Sequence, residues 1–235
     1  MNEKAAVGES RKTKGFVGER PVQIPVGPCA LEGDLAVPAG ARALVLFAHG
    51  SGSSRHSPRN RYVAGVLRAA GLATLLMDLL TPEEEAEDRY TGQFRFDVGL
   101  LAERLVAATD WLAQQPQTTG WPIGYFGAST GAGAALVAAA QRPDAVGAVV
   151  SRGGRPDLAG AALASVVAPT LLIVGGRDEP VIALNRQALG RLGAEEKKLV
   201  IVPGATHLFE EPGALEEVAR LARDWFTKHL NRTGG

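Results

Sequence analysis

Cysteine is nearly absent from this chain of 235 residues, because Cys29 is the only one. A single thiol cannot close an internal disulfide, and chains without disulfides are typical of a reducing compartment. The four histidines stand at positions 49, 56, 207 and 229 and form no cluster with metal-ligand spacing. The sequence therefore predicts a cytoplasmic protein without a metal site.

An excess of charge of one sign and a long apolar run are also missing. The chain has 25 basic and 25 acidic residues, and no apolar run approaches the roughly 20 residues of a membrane-spanning helix. The first 20 residues are polar and lack the apolar segment of a secretory signal peptide. We therefore expect neither a nucleic-acid partner nor a membrane partner. The sequence leaves open whether the chain forms a homo-oligomer.

Short and long apolar patterns alternate along the chain. Residues 1–20 are expected to form a flexible arm, and residues 21–235 a single domain. Short runs rich in Val, Ile and Leu predict buried strands, and apolar residues at helical spacing predict helices between them. This alternation indicates an α/β fold with a mostly parallel sheet covered on both faces. The predicted strands are 21–26, 31–37, 43–48, 73–77, 123–126, 146–151, 170–174 and 199–202, and the main predicted helices are 60–70, 97–115, 158–165 and 181–192, with one more after 215.

Residues 127–131 read Gly-Ala-Ser-Thr-Gly and are the most informative segment of the chain. An apolar run precedes them, and an alanine-rich, helix-forming segment comes after them and stops at Pro143. A G-x-S-x-G turn between a strand and a helix is typical of the nucleophile elbow, which presents a serine hydroxyl above a sheet. A side chain at either glycine is expected to collide with the neighbouring strand or helix. Because this chain is rich in glycine, the bare pentapeptide also arises by chance, and the interpretation depends on residues further along the chain.

A serine hydroxyl needs a base, usually a histidine that a carboxylate holds in the correct tautomer. Asp178 and His207 follow two successive predicted strands downstream of Ser129, in the Ser, Asp, His order of this architecture. Each residue also has a simpler interpretation. Asp178 could cap the next helix, Glu179 could take its place, and His207 could be an ordinary surface histidine. Taken together, the three predict Ser129 as nucleophile, Asp178 as acid and His207 as base.

Two backbone N–H groups are predicted to stabilise the oxyanion that forms during acyl transfer. Thr130 follows the nucleophile, and Ser51 lies in the glycine-rich loop after an earlier strand. Arg55, Arg59 and Arg152 are expected near the same rim, and we select Arg55 and Arg152 as candidates to bind an anionic or polar substrate. Surface salt bridges are the alternative role for these arginines.

Other segments near this rim are given more general roles. The pocket walls are predicted from residues 50–60, from residues 90–96 and from the turn after Ser151. His49 is expected to bond backbone within its turn and not to act in catalysis. The acidic run at residues 81–88 is expected to be a solvated loop and the start of a helix.

These motifs resemble those of the α/β-hydrolase superfamily and, within it, of the dienelactone hydrolase-like group. The resemblance extends from about residue 21 to the C-terminus. It implies an eight-stranded α/β-hydrolase fold, hydrolysis of esters or lactones, no cofactor, and a triad of Ser129, Asp178 and His207. The matching segments are 49–52, 127–131, 176–178 and 204–209.

The chain departs from dienelactone hydrolases proper, which use a cysteine nucleophile where this sequence has Ser129. The serine favours a carboxylesterase that forms an acyl-enzyme. The stretch from residue 151 to 165 is too short for a cap domain, and this favours small substrates. Acyl transfer, thioester hydrolysis and amide hydrolysis could use the same triad, and a non-catalytic interaction protein is a further alternative.

Overall fold

The structure is a computed structural model and describes residues 18–230. The strands are β1 (Gly18–Val26), β2 (Cys29–Val37), β3 (Leu44–Ala48), β4 (Ala73–Met77), β5 (Ile123–Ala128), β6 (Val146–Arg152), β7 (Thr170–Gly175) and β8 (Lys197–Val202). The α-helices are α1 (Pro58–Ala69), α2 (Pro82–Thr91), α3 (Val98–Gln114), α4 (Thr130–Gln141), α5 (Glu179–Arg191) and α6 (Ala214–Leu230). Two 3₁₀ segments span Phe94–Phe96 and Pro156–Ser165.

All eight strands form one sheet in the order β1-β2-β4-β3-β5-β6-β7-β8. The β1–β2 hairpin joins the sheet antiparallel, and all pairs from β4 through β8 are parallel. This is the α/β-hydrolase architecture without a large cap, and it confirms the predicted fold class. Because β5 lies at the centre of the parallel part, the turn after it opens in the middle of the carboxyl edge, where such sheets bind ligands.

Helices cover both faces of the sheet, and β3 shows why. Leu44 and Leu46 pack into the core under α3 and α4, whereas Val45 and Phe47 pack into the core under α1 and α6. Successive side chains of a strand point to opposite faces, so a strand that is buried on both sides must be apolar throughout. All five residues of β3 are buried.

Three features differ from the sequence expectations. Strand β1 begins at Gly18, so residues 18–20 belong to the sheet and not to an arm, and residues 1–17 lie outside the described residues. The acidic run is a full helix, α2, whose start is fixed by a capping box between Thr81 and Glu84. Residues 156–165 form a 3₁₀ segment that is kinked at Gly160, where φ is 54°, instead of an α-helix.

No helix within residues 18–230 is both long enough and apolar enough to cross a membrane.

Candidate active site

Ser129 lies at the turn between β5 and α4, with a backbone conformation that L-residues rarely adopt. Its φ is 50° and its ψ is −120°. A Cβ added at Gly127 would lie 2.4 Å from Cα of Ala132, and one at Gly131 would lie 2.3 Å from the carbonyl oxygen of His49. The turn is therefore closed on both sides by backbone, as the sequence predicted for the two glycines. A strained, tightly enclosed serine between a strand and a helix is the geometry of a nucleophile elbow.

The end of the neighbouring strand β6 holds this turn in place. The backbone N–H of Ser129 donates to the carbonyl oxygen of Arg152 at 3.2 Å, and the N–H of Arg155 donates to the carbonyl oxygen of Ser129 at 3.1 Å. These two bonds occupy the polar backbone groups of Ser129, so that its conformation is fixed on both sides.

Asp178 and His207 are hydrogen-bonded to each other. Nδ1 of His207 lies 2.6 Å from Oδ2 of Asp178. Asp178 occupies the N-cap position of α5, yet its side chain makes no capping hydrogen bond there. Its carboxylate bonds the imidazole instead of the helix, and Glu179 is the first residue of α5. The helix-capping alternative and the Glu179 alternative are therefore not what the structure shows.

The loop that carries His207 is held by contacts from several segments. A Cβ added at Gly153 would lie 3.1 Å from the carbonyl oxygen of His207 and 3.5 Å from its Nδ1, so the backbone at Gly153 packs directly against His207. Phe209 has a φ of 57° and is fully buried. The backbone N–H of Thr206 donates to Oε2 of Glu211 at 3.0 Å. The backbone of the loop is thus held by contacts that do not involve Asp178.

Ser129 and His207 line the same pocket, a cavity of about 270 Å³ at the carboxyl edge of the sheet. Nδ1 of His207 is engaged by Asp178, which leaves Nε2 as the ring nitrogen that the carboxylate does not occupy. The structure thus brings the three predicted triad residues to one place. The lining residues are Gly50, Ser51, Ser53, Ser57, Arg59, Ala128, Ser129, Arg152, His207 and Leu208.

The two predicted oxyanion donors lie in segments next to the nucleophile. Thr130 is the first residue of α4, where backbone N–H groups have no partner within the helix. Ser51 lines the pocket from the loop after β3. This loop is in contact with the elbow, because a Cβ at Gly50 would lie 3.1 Å from Cβ of Ser129.

His49 braces that loop. The backbone N–H of Leu79 donates to Nε2 of His49 at 3.1 Å, and Nδ1 of His49 lies 2.9 Å from the carbonyl oxygen of Gly50. Because Nε2 accepts, the proton is on Nδ1 and the ring is neutral. Burial lowers the pKa of His49, and the nearby Gly50 carbonyl and Asp78 oppose this only in part. His49 thus has the structural role that the sequence indicated.

Arg55 is not part of this pocket, which corrects its selection as a substrate-binding residue. Its guanidinium pairs with the carboxylate of Asp78 and with Oε2 of Glu32, the latter at 2.5 Å, and Asp34 is at 3.9 Å. Its backbone N–H also donates to Asp78 at 2.7 Å. These carboxylates come from β2 and from the end of β4, which are neighbours in the sheet. Because β2 and β4 are neighbours, their carboxylates surround Arg55 and hold it in ion pairs away from the pocket.

Arg152 does line the pocket, and Arg59 lines it as well. Arg152 is buried, and its Nη2 donates to Oδ1 of Asn60 at 3.3 Å. Sequence reasoning missed Asn60, because a polar residue in the first turn of a helix gives no sign of the strand end it will contact.

The predicted wall at residues 90–96 does not line the pocket of Ser129. Tyr90 and Phe96 are 92% and 61% exposed, so most of each ring faces solvent. Their neighbours Arg89 and Arg95 line a separate cavity of about 210 Å³, which is also bordered by the loop at residues 50–53. Within the part of the chain that the structure describes, no group of three or more potential ligands could hold a metal ion.

The dienelactone hydrolase family model matches residues 35–231. The chain belongs to the dienelactone hydrolase family. It is 64% identical to a dienelactone hydrolase from Anabaena variabilis whose crystal structure covers 91% of this chain, with a TM-score of 0.89 and 98% of that protein matched. An esterase of Pyrococcus furiosus has the same fold, at 19% identity and a TM-score of 0.73, over 98% of this chain and all of that one. The predicted family resemblance is confirmed.

A curated relative has a different name. It is a protein of Mycobacterium tuberculosis called a putative phosphoribosyl transferase, 62% identical over 209 residues. That match covers 89% of this chain and 46% of the relative, so the chain spans about half the length of this relative. An uncharacterised protein of the same organism is 32% identical over 83% of this chain and 72% of its own length.

Proposed function

We propose that this hydrolase cleaves small carboxylic esters or lactones through an acyl-enzyme on Ser129. The observation that carries the proposal is the 2.6 Å contact between Asp178 and His207, beside a pocket that Ser129 and His207 share. A carboxylate, an imidazole and a strained elbow serine on one sheet edge are the parts that nucleophilic acyl transfer needs.

In the first half of the reaction, Oγ of Ser129 attacks the substrate carbonyl while Nε2 of His207 takes its proton. Asp178 keeps the proton of the neutral imidazole on Nδ1 and stabilises the imidazolium that forms. The N–H groups of Thr130 and Ser51 donate to the oxyanion of the tetrahedral intermediate. The C–O bond to the leaving alcohol then breaks, and Nε2 returns the proton to that alcohol.

In the second half, water attacks the acyl-enzyme and gives its proton to Nε2 of His207. The intermediate collapses, Oγ of Ser129 regains the proton, and the carboxylic acid leaves. Every proton and electron pair in this cycle is accounted for by the three side chains and water, so the proposal includes no cofactor.

Transfer of a phosphoribosyl group is not part of the proposal. The phosphoribosyl transferase name describes a relative about twice as long as this chain. The described site presents a serine, an imidazole and a carboxylate, which suit acyl chemistry. Acyl transfer to an alcohol, or cleavage of a thioester or amide, would use the same residues. Product analysis with water and alcohol in competition separates transfer from hydrolysis.

Labelling with a fluorophosphonate probe tests the nucleophile directly. The wild-type protein should be labelled at Ser129, and Ser129→Ala should remain unlabelled and lose several orders of magnitude in turnover of a short activated ester. Ser54→Ala is the matched control, because Ser54 lies in the loop between β3 and α1 and does not line the pocket of Ser129. Labelling or near-normal turnover in Ser129→Ala would refute the mechanism.

A further inference from the structure

Arg152 places a buried guanidinium in the lining of the pocket that holds Ser129. It is 7% exposed, and its hydrogen bond to Asn60 uses only Nη2. Its Nε is buried and has no hydrogen-bond partner within residues 18–230. A buried donor that lacks an acceptor costs free energy, and a bound oxyanion would remove that cost.

Arg59 brings a second guanidinium to the same lining. Its Nη1 donates to Oε1 of Glu210 at 3.1 Å, but Glu210 is 64% exposed and does not line the pocket. Nε of Arg59 is also buried without a partner among the described residues. Two arginines with unused Nε–H donors therefore line the cavity. Arg59 comes from α1, and Arg152 comes from the end of β6.

The charges of the pocket point to the same kind of ligand. Burial, helped by the positive charge of Arg59, lowers the pKa of Arg152 to about 10, so Arg152 stays charged at neutral pH. No acidic side chain is found among the described residues of the lining. Two guanidinium groups therefore line a cavity whose own lining carries no carboxylate, and Glu210 pairs with Arg59 from outside that lining.

We propose that Arg152 and Arg59 bind a phosphate group carried by the substrate that Ser129 attacks. The inference rests on the proposed function and adds the substrate class, an ester or lactone that bears a phosphate monoester. Such a group carries between one and two negative charges near neutral pH and has three oxygens that accept hydrogen bonds. A carboxylate has one charge and two oxygens, so it offers fewer acceptors than a phosphate for the unused donors of the two guanidinium groups.

Titration calorimetry with inorganic phosphate, at constant ionic strength and neutral pH, tests the site without using turnover. Wild type and Ser129→Ala should each bind one phosphate, because binding does not need the nucleophile. Arg59→Gln should weaken binding about tenfold or more, since one of two charged donors is lost. Arg152→Lys keeps the buried charge and should weaken binding through loss of the guanidinium fork.

Arg61→Gln is the matched control. Arg61 lies on the same helix as Arg59, but it pairs with Glu19 and Asp34 and does not line the pocket. Its loss should leave phosphate affinity within about twofold of wild type, because exposed ion pairs have little effect on a distant site. Acetate should bind about tenfold more weakly than phosphate if both arginines take part.

Inhibition of the hydrolysis of a neutral ester separates this proposal from the proposed function. Phosphate should inhibit wild type competitively and Arg59→Gln much less. Absent phosphate binding, equal affinity for acetate, or equal binding by Arg59→Gln and Arg61→Gln would each overturn the phosphate site while leaving the hydrolase intact. Phosphate binding without any ester hydrolysis would leave the site standing and count against the proposed function.

Discussion

Gly131 lies so close to His49 that a Cβ added at Gly131 would be 2.3 Å from the carbonyl oxygen of His49. The same Cβ would be 2.5 Å from the carbonyl oxygen of Ala48. This contact joins the start of α4 to the loop after β3, and these two segments carry the two proposed oxyanion donors. A change in the separation of the two backbones would therefore alter the site as well as the packing.

Gly131→Ala should both destabilise the protein and reduce turnover. Backbone atoms cannot rotate away as a side chain can, so the overpacking should cost about 1–3 kcal/mol in the free energy of unfolding. Gly190→Ala is the control, because Gly190 lies in α5 with no atom within 4 Å of the added Cβ. Gly190→Ala should increase the free energy of unfolding by up to about 1 kcal/mol, because alanine reduces the backbone entropy of the unfolded chain. Urea denaturation of both variants gives the comparison, and equal effects would contradict the prediction.

Asp178→Asn should leave the fold intact and reduce kcat by about three to four orders of magnitude, because an amide favours the wrong tautomer of His207. Glu179→Gln is the control, because it removes the adjacent carboxylate while Asp178 keeps its bond to the imidazole. This variant should retain nearly wild-type turnover. Steady-state kinetics with a short activated ester, together with circular dichroism of both variants, measures the difference. Equal losses in the two variants would mean that the assigned acid is wrong.

His49 should make the protein less stable below pH 6.5. Burial lowers the pKa of its imidazole in the folded state, so the unfolded chain binds the proton more readily. The free energy of unfolding therefore falls as pH decreases through 6.5, the unfolded value, toward the folded pKa. Between pH 6.5 and pH 5 one proton accounts for at most about 2 kcal/mol. In urea denaturation, His49→Gln should lose less free energy of unfolding between pH 7 and pH 5 than wild type does. The control His56→Gln replaces an exposed histidine and should lose as much as wild type.

Short acyl chains should be preferred over long ones. The cavity beside Ser129 holds about 270 Å³, which is below the range of ordinary ligand pockets. No cap covers it within the described residues, and Leu208 in its lining is 40% exposed. The ratio kcat/KM for a series of esters with increasing acyl length should therefore fall beyond a few carbons. A maximum at long chains would show that other segments enclose the substrate.

Features that depend on local sequence could be predicted well. Strand β4 matches its predicted range, and α3 differs by one residue at each end, because the periodic apolar residues and the cap at Asp97 are all local. The elbow at Ser129 and the loops of Asp178 and His207 follow from chain order, since carboxyl ends of parallel strands share one edge. The start of α2 could also have been predicted, because Thr81, Pro82 and Glu84 form a capping signature that the acidic run obscured.

Features that depend on which strands are neighbours could not be predicted. Arg55 and Arg59 are four residues apart, yet one pairs with carboxylates of β2 and the end of β4 and the other reaches the site. Nothing in the local sequence distinguishes them, because the antiparallel pairing of β2 with β4 brings the partners of Arg55 into place. Arg152 similarly depends on α1 packing across the end of β6, where Asn60 contacts it.

The left-handed backbone conformation of Phe209 has a free-energy cost, which burial of its ring in the hydrophobic core offsets. A left-handed conformation at a residue with a Cβ is unfavourable by about 1–2 kcal/mol, and the ring of Phe209 is fully buried in the core that includes α6. The loop of His207 thus depends on cooperative packing against a helix that extends to the end of the described chain. Substitutions that loosen the packing of α6 should therefore disturb the position of His207 as well as the stability of the chain.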